Sequence, residues 1–241
     1  FTLAIASLFL ISTLSAQNVN ITIQSSGTTS GTFTGGTFTP SVNTNAIINV
    51  ADLVTQLNGN NNVTINTAKA GGTDVGNVIF STAVTAARTS TTQITFSVTA
   101  AGSITVNSSS AINLTPSGSG NPNPSTRPGT NISFSAGSSI SIASALTTNG
   151  NVRGFTNGGN GGNVTLSATN NVSITSTITS NGSGGGAFVT NGNAGNISIT
   201  GATGITLTAN LTAAGGAAGF NGTVGNDGTF TINDGATIVT T

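Results

Sequence analysis

Apolar side chains in this sequence come in pairs two residues apart, with Ser or Thr between them. Val164 and Leu166 form one pair, Val172 and Ile174 the next, and Ile178 follows alone. Such alternation places successive side chains on opposite faces of an extended strand. The five positions recur upstream as Ile132, Phe134, Ile140, Ile142 and Leu146, and downstream as Ile197, Ile199, Ile205, Leu207 and Leu211. A further block opens with Phe230, Ile232 and Ile238, and a weaker copy stands upstream at Phe96, Val98, Ile104 and Val106. From Ile132 onward the first positions are separated by 32, 33 and 33 residues, and Phe96 lies 36 residues before Ile132. Spacing by two, interrupted by one longer jump at a corner, suits strands and not a helix. A fixed period of this size marks stacked supersecondary units.

Each block predicts three short strands with corners between them, then a Gly/Asn-rich return to the next block. One block alone cannot bury its inward residues. Stacked on its neighbours at a spacing of about 4.8 Å it can, and each strand then pairs its backbone with the coils on either side. The expected contacts put Val164 on Ile132, Ile197 on Val164 and Phe230 on Ile197. The pattern predicts an all-β fold, a parallel β-helix or solenoid with three short strands per coil and Gly/Asn-rich loops. Inward positions must stack, so Ile, Leu, Val and Phe exchange there. Outward positions need only be small, polar and compatible with strands, so Ser, Thr and Asn exchange there.

Two segments depart from the pattern. INVADLVTQLNG (Ile48 to Gly59) carries Val50, Leu53, Val54 and Leu57 at helical spacing. Asn49 can cap its start and Asn58-Gly59 its end, which predicts one short helix near residues 50–58, lying across or beside the coils. NNVTINTA (Asn61 to Ala68) then resumes the strand pattern. Four of the five prolines fall between Pro116 and Gly129. Proline cannot donate to a ladder, so this stretch is expected outside the sheets.

Composition sharpens the picture. The 241 residues include four Lys or Arg and four Asp, no Glu, and no His, Cys, Met, Trp or Tyr. Charged residues make up 3% of the chain and hydrophobic ones 35%. Four scattered cations make no electrostatic footprint for nucleic acid or an anionic membrane. Without Cys there is no disulfide framework and no thiolate metal site. Disordered chains combine low hydrophobicity with high net charge, whereas this one is rich in β-branched residues.

The first residues, FTLAIASLFLISTLSAQ, form an apolar run ending in Leu14-Ser15-Ala16. That is the hydrophobic region and small-residue cleavage site of a secretory signal peptide, too short for a membrane span. Residues 1–16 are therefore expected to be a signal peptide, truncated at its N-terminus because the charged region and initiator Met are missing. Residues 17–241 are expected to form a single β-helix domain with no membrane span. The fourth unit should place apolar residues near 240 and 244, but position 240 is Thr and the sequence stops at Thr241. The domain is thus expected to be incomplete at its C-terminus, with an open coil end that self-associates.

INVADLVTQLNGNNNVTINTAKAGGTDVGNVIFSTAVT (Ile48 to Thr85) resembles a stretch of filamentous-haemagglutinin-like bacterial surface adhesins. In these a short helix precedes an Asn-Val-Thr-Ile-type strand, a Gly-rich turn and a Gly-Asp/Asn-Ile strand. The GNVTLSATNNVSITSTITSNG-type repeats downstream are similar to the coils of the same proteins, so the resemblance covers roughly residues 45–241. It implies a right-handed β-helix. It further implies a secreted or outer-surface bacterial protein whose shaft projects a binding region toward a surface, glycan or matrix ligand.

Residues that perform chemistry are scarce. Many β-helix proteins act on polysaccharides and need clustered carboxylates. Asp52 falls in the predicted helix, Asp74 in the turn GGTDVG, and Asp227 and Asp234 each precede a Gly. Turn or helix-end roles are expected for all four. GGNGGNVTL (Gly158 to Leu166) has the glycines of a calcium-binding β-roll but lacks the Asp. The abundant serines have no His or other base to activate them. No catalytic, cofactor-binding or metal-binding residue is assigned. The expected function is a structural or adhesive shaft that binds by surface contacts without catalysis. One alternative is the non-catalytic solenoid of a larger secreted carbohydrate-active enzyme. A lesser alternative is an ice-binding solenoid with outward pairs at Thr206/Thr208, Ser173/Thr175 and, irregularly, Ser141/Ala143.

Overall fold

Strands form wherever β-branched or aromatic residues alternate with Ser or Thr, and they stop where Gly or Asn breaks the alternation. The computed structural model describes residues 17–117, 125–153, 157–235 and 238–240, so the expected signal peptide over 1–16 lies outside the described residues. The chain enters along β1 (Ile21–Gln24), turns through the hairpin β2 (Gly31–Thr34) and β3 (Thr37–Pro40), and returns as β4 (Ala46–Asn49). From β4 it runs into α1 (Val50–Asn58). The first coil is β5 (Val63–Asn66), β6 (Val78–Phe80) and β7 (Val84–Thr85). The second is β8 (Thr95–Ala100), β9 (Ile104–Val106) and β10 (Ile112–Asn113). β11 (Ser125–Arg127) precedes the third coil, β12 (Asn131–Ala136), β13 (Ile140–Ile142) and β14 (Leu146–Thr147). β15 (Asn151–Arg153) leads to the fourth, β16 (Val164–Ala168), β17 (Asn171–Ile174) and β18 (Ile178–Thr179). The fifth is β19 (Ile197–Gly201), β20 (Gly204–Leu207) and β21 (Leu211–Thr212), and β22 (Phe230–Asp234) with β23 (Ile238–Thr240) begins the last rung.

The strands stack into three sheets, giving the expected solenoid of parallel β-coils. The first sheet runs β2-β3-β5-β8-β12-β16-β19-β22, the second β4-β1-β6-β9-β13-β17-β20-β23, and the third β7-β10-β14-β18-β21. Every pairing in them is parallel except the hairpin β2/β3. The aligned apolar positions become columns. Val63, Phe96, Ile132, Val164, Ile197 and Phe230 stack in register on the first sheet. Val78, Ile104, Ile140, Val172, Ile205 and Ile238 do so on the second. Val84, Ile112, Leu146, Ile178 and Leu211 form the third. Phe80, Phe96 and Phe134 meet inside the tube at ring-centroid distances of 5.7 to 6.2 Å.

Two inward columns were not expected. Ala100, Ala136 and Ala168 stack in register with Gly201 at the first corner, and the three alanines are buried. Ala86, Leu114, Thr148, Ser180 and Ala213 immediately follow the third-sheet strands and are likewise buried. Within that column the Thr148 hydroxyl donates to the Thr130 carbonyl and the Ser180 hydroxyl to the Gly162 carbonyl. Burial without these bonds would cost about 1–3 kcal/mol per hydroxyl.

The helix forms where the spacing puts it. The Asn49 side chain accepts from Ala51 N at 2.9 Å, and Leu53 and Leu57 are buried. α1 packs on β4 and β7 and covers the N-terminal edge of the third sheet, where a coil would otherwise place a strand. The Pro-rich stretch differs from expectation in part. Its described residues lie outside the three solenoid sheets, yet β11 pairs antiparallel with β15 as a separate two-stranded sheet, Thr126 opposite Val152. Residues 118–124 lie outside the described residues.

The Gly-rich returns after the third, fourth and fifth coils stack on one another beside the tube. Their hydrogen bonds recur every third residue. Gly192 N donates to Ser183 O and Gly195 N to Ser180 O, while Gly225 N donates to Gly216 O and Gly228 N to Ala213 O. Three residues is the repeat of a polyproline-II-type backbone. The segments approach so closely that a Cβ on Gly192 would lie 2.0 Å from Gly159 O, and one on Gly225 1.9 Å from Gly192 O. Glycine is required there for space rather than for conformation.

Candidate binding surface

The four carboxylates are spread over the molecule. Asp52 sits in the first turn of α1, where Thr29 Oγ1 donates to it. It lines a cleft of about 290 Å³ between the hairpin and the helix, with Thr29, Thr32, Phe33, Thr55 and Gln56. Asp74 fastens the entering strand: its Oδ2 accepts from Asn20 N at 2.9 Å and Asn45 N at 2.8 Å. These two backbone bonds hold its carboxyl below the usual carboxylate range. Asp227 accepts from Gly215 N at 2.8 Å, within the Gly-rich stack. Asp234 differs from the turn expectation, since it is the last residue of β22, in register with Gly201. Among the described residues no three acidic side chains gather where a metal could bind.

Among the described residues two cations are buried, Arg88 and Arg127. Arg88 donates to Thr92 O at 2.7 Å, Pro128 O at 2.9 Å and Thr130 Oγ1 at 3.0 Å. It thereby ties the return after β7 to the one before β12. Burial lowers its pKa from the ordinary guanidinium value. Arg127 donates to Ser117 O. Neither residue was singled out in the sequence, because a lone Arg in a polar loop gives no periodic signal.

What the fold displays outward is hydroxyl groups. On the first sheet Thr64, Ser97, Ser133, Thr165, Ser198 and Thr231 form one file. Asn66, Thr99, Ser135, Ser167, Thr200 and Asn233 form a second file beside it, in the same registers. All twelve are exposed or half-exposed. Neighbours along a file are about 4.8 Å apart, and the two files are separated by about 6.6 Å, two residues of strand rise. Each hydroxyl offers one donor and two acceptor lone pairs. Among the described residues the second sheet is less regular: its outward file Thr105, Ser141, Ser173, Thr206 is preceded in register by the apolar Ile79. Thr175 and Thr208, paired with Ser173 and Thr206 in the sequence reading, stand past the ends of their strands. The regular array is therefore on the other sheet from the one on which the ice-binding alternative placed its irregular pairs. The signal was in the sequence, since Ser97/Thr99, Ser133/Ser135, Thr165/Ser167 and Ser198/Thr200 alternate with columns already aligned.

Asparagine keeps this face in register. Where β12, β16, β19 and β22 begin, Asn131 Oδ1 accepts from Asn163 N, Asn163 Oδ1 from Asn196 N, and Asn196 Oδ1 from Thr229 N, at 2.8 to 2.9 Å. Similar ladders link Asn149 to Asn181 and on to Ala214, and Asn160 to Asn193 and on to Asn226. At a corner the backbone turns out of the sheet and its N–H loses its ladder partner, so a side-chain carbonyl one coil away replaces it. Among the described residues no helix is long and apolar enough to cross a membrane. The chain matches no protein-family model, no curated protein and no solved structure.

Proposed function

We propose that this chain is the structural and adhesive shaft of a secreted or surface-exposed bacterial protein of the filamentous-haemagglutinin-like kind. It binds by surface contacts, without catalysis and without a cofactor. The observation that carries this reading is the two-file polar face of the first sheet, uncharged over six rungs and built of hydroxyls in both files on the middle four. Such a face offers many weak polar contacts in a fixed lattice, which suits attachment to an extended surface better than capture of one small molecule. The carboxylates support it too, since Asp74 and Asp227 bond backbone N–H groups.

The test is retention of the purified chain on mucin-coated and collagen-coated surfaces against an albumin-coated control. Ser135→Glu with Ser167→Glu places two like charges on the face and should abolish retention. Ser141→Glu with Ser173→Glu, adjacent in register on the second sheet, should leave it intact. Equal effects of the two pairs, or no retention of the parent chain, would sink the reading. The regular first-sheet array also favours an ice-binding reading as runner-up. Half of its hydroxyls are Ser, which lacks the methyl group a Thr array presents. The adhesive reading expects no thermal hysteresis.

A further inference from the structure

The Gly-rich stack beside the tube ends in two phenylalanines that nothing covers. Phe188 is 70% exposed and Phe220 73% exposed, whereas Phe38, Phe80, Phe96 and Phe134 are buried. The two rings touch edge to face, with centroids 5.6 Å apart and planes at 82°, and Phe188 N donates to Phe220 O at 2.9 Å. Phe188 also has φ of 60°, in the left-handed region. A bulky side chain there costs about 1–2 kcal/mol. Core packing cannot repay that cost for a ring exposed to this degree. A strained outlier held at an exposed position points to function. The sequence holds Phe155 33 residues before Phe188, close to the 32 that separate Phe188 from Phe220; Phe155 lies outside the described residues.

We propose that the exposed ring faces of Phe188 and Phe220, set nearly at right angles, form a stacking corner for the sugar rings of a neutral polysaccharide. This rests on the adhesive reading above and gives it a ligand class. The face of an aromatic ring is electron-rich, and a pyranose presents a face of weakly positive C–H groups. The stretches 184–190 and 217–224 contain no charged residue, so nothing at the tip selects an anionic or cationic ligand. Beside the rings, Thr190 and Thr223 are exposed and bridge the two returns, and Asn221 is exposed as well. Their polar groups can bond sugar hydroxyls at the rim of that corner. A lipid surface is the less suited occupant, because no cation stands in these stretches to meet headgroup phosphates.

The experiment measures retention of the 241-residue chain on insoluble cellulose and chitin and on phosphatidylcholine vesicles, with Phe188→Gly, Phe220→Ala and the double variant. Gly accepts the left-handed backbone without strain, so Phe188→Gly should keep or raise the melting temperature while binding falls. Each single variant is expected to weaken polysaccharide retention about tenfold, and the double variant to abolish it. Phe-dependent retention on vesicles alone would overturn the inference in favour of a lipid surface. Absence of polysaccharide retention in the parent chain, or retention indifferent to both rings, would also overturn it. So would a lower melting temperature in Phe188→Gly with binding unchanged, which would make the rings structural. Attachment lost in the first-sheet Glu variants but kept in the ring variants overturns this inference alone. No attachment of the parent chain to any coated surface or polysaccharide overturns the adhesive reading with it.

Discussion

Asn163 belongs to two coils at once. Its own N–H donates to Asn131 Oδ1, and its Oδ1 accepts from Asn196 N at 2.8 Å. Asn163→Ala should therefore leave a corner N–H unpaired and cost about 1–2 kcal/mol by chemical denaturation. Asn163→Asp keeps an acceptor and should cost less; equal losses would mean that the side-chain bond is not what matters. Asp74 makes the matching case for charge. Its folded pKa is depressed by the Asn20 and Asn45 amides. The stabilisation it provides is thus full above the ordinary carboxylate pKa and is lost as pH falls through the depressed folded value. Hydrogen exchange at the amides of Asn20 and Asn45 should accelerate in that acid window, and Asp74→Asn should remove the pH step. Exchange that stays flat through the acid range in the parent chain would rule this role out. Both roles escape a reading by residue type, because Asn and Asp beside Gly announce a turn and say nothing of which coil they bond.

Among the elements, α1 was legible and the Gly-rich stack was not. Val50, Leu53, Val54 and Leu57 carry helical spacing, and the cap at Asn49 fixes the start, so the helix bounds follow from local sequence. The returns show no hydrophobic period at all. Their order comes from backbone bonds between segments about 30 residues apart, such as Gly158 N to Thr190 O and Gly161 N to Asn193 O. Gly192→Ala would place a Cβ 2.0 Å from Gly159 O. That clash is with backbone and cannot be relieved by a rotamer, so residues 180–195 should lose exchange protection. The columns through Val172 and Ile205, built on the second sheet, should stay protected. Uniform loss across the tube would show that the stack and the coils fold as one unit.

At the scale of the whole molecule the two ends differ. The hairpin, β4 and α1 close the N-terminal end, and Leu53, Leu57 and Phe38 are buried there. On the last rungs Phe230 is 48% exposed, and Leu207, Leu211 and Ile232 are only partly buried. Edge strands with apolar side chains template further pairing. The purified chain should therefore associate with concentration through this end by light scattering. Phe230→Asp should reduce association, whereas a monomer at all concentrations would contradict the expectation. The near absence of titrating groups bears on the same scale. With four Asp, no Glu and no His, stability should vary little between about pH 5 and pH 9.

The sequence by itself determined the coil. A stacked column tolerates only apolar side chains, so the spacing of Val164, Leu166, Val172, Ile174 and Ile178 survives changes of letter and exposes the period, the strand faces and the register. It determined α1 for the same reason, since a buried helical face leaves its own period. Only the tertiary structure decided what the polar residues do. Hydroxyls, amides and glycines satisfy long-range backbone partners whose positions exist only once the coils are stacked. Hence the asparagine ladders, the buried Arg88 and the exposed rings of Phe188 and Phe220 required the fold. Burial writes itself into sequence as a period, whereas hydrogen bonding between coils does not.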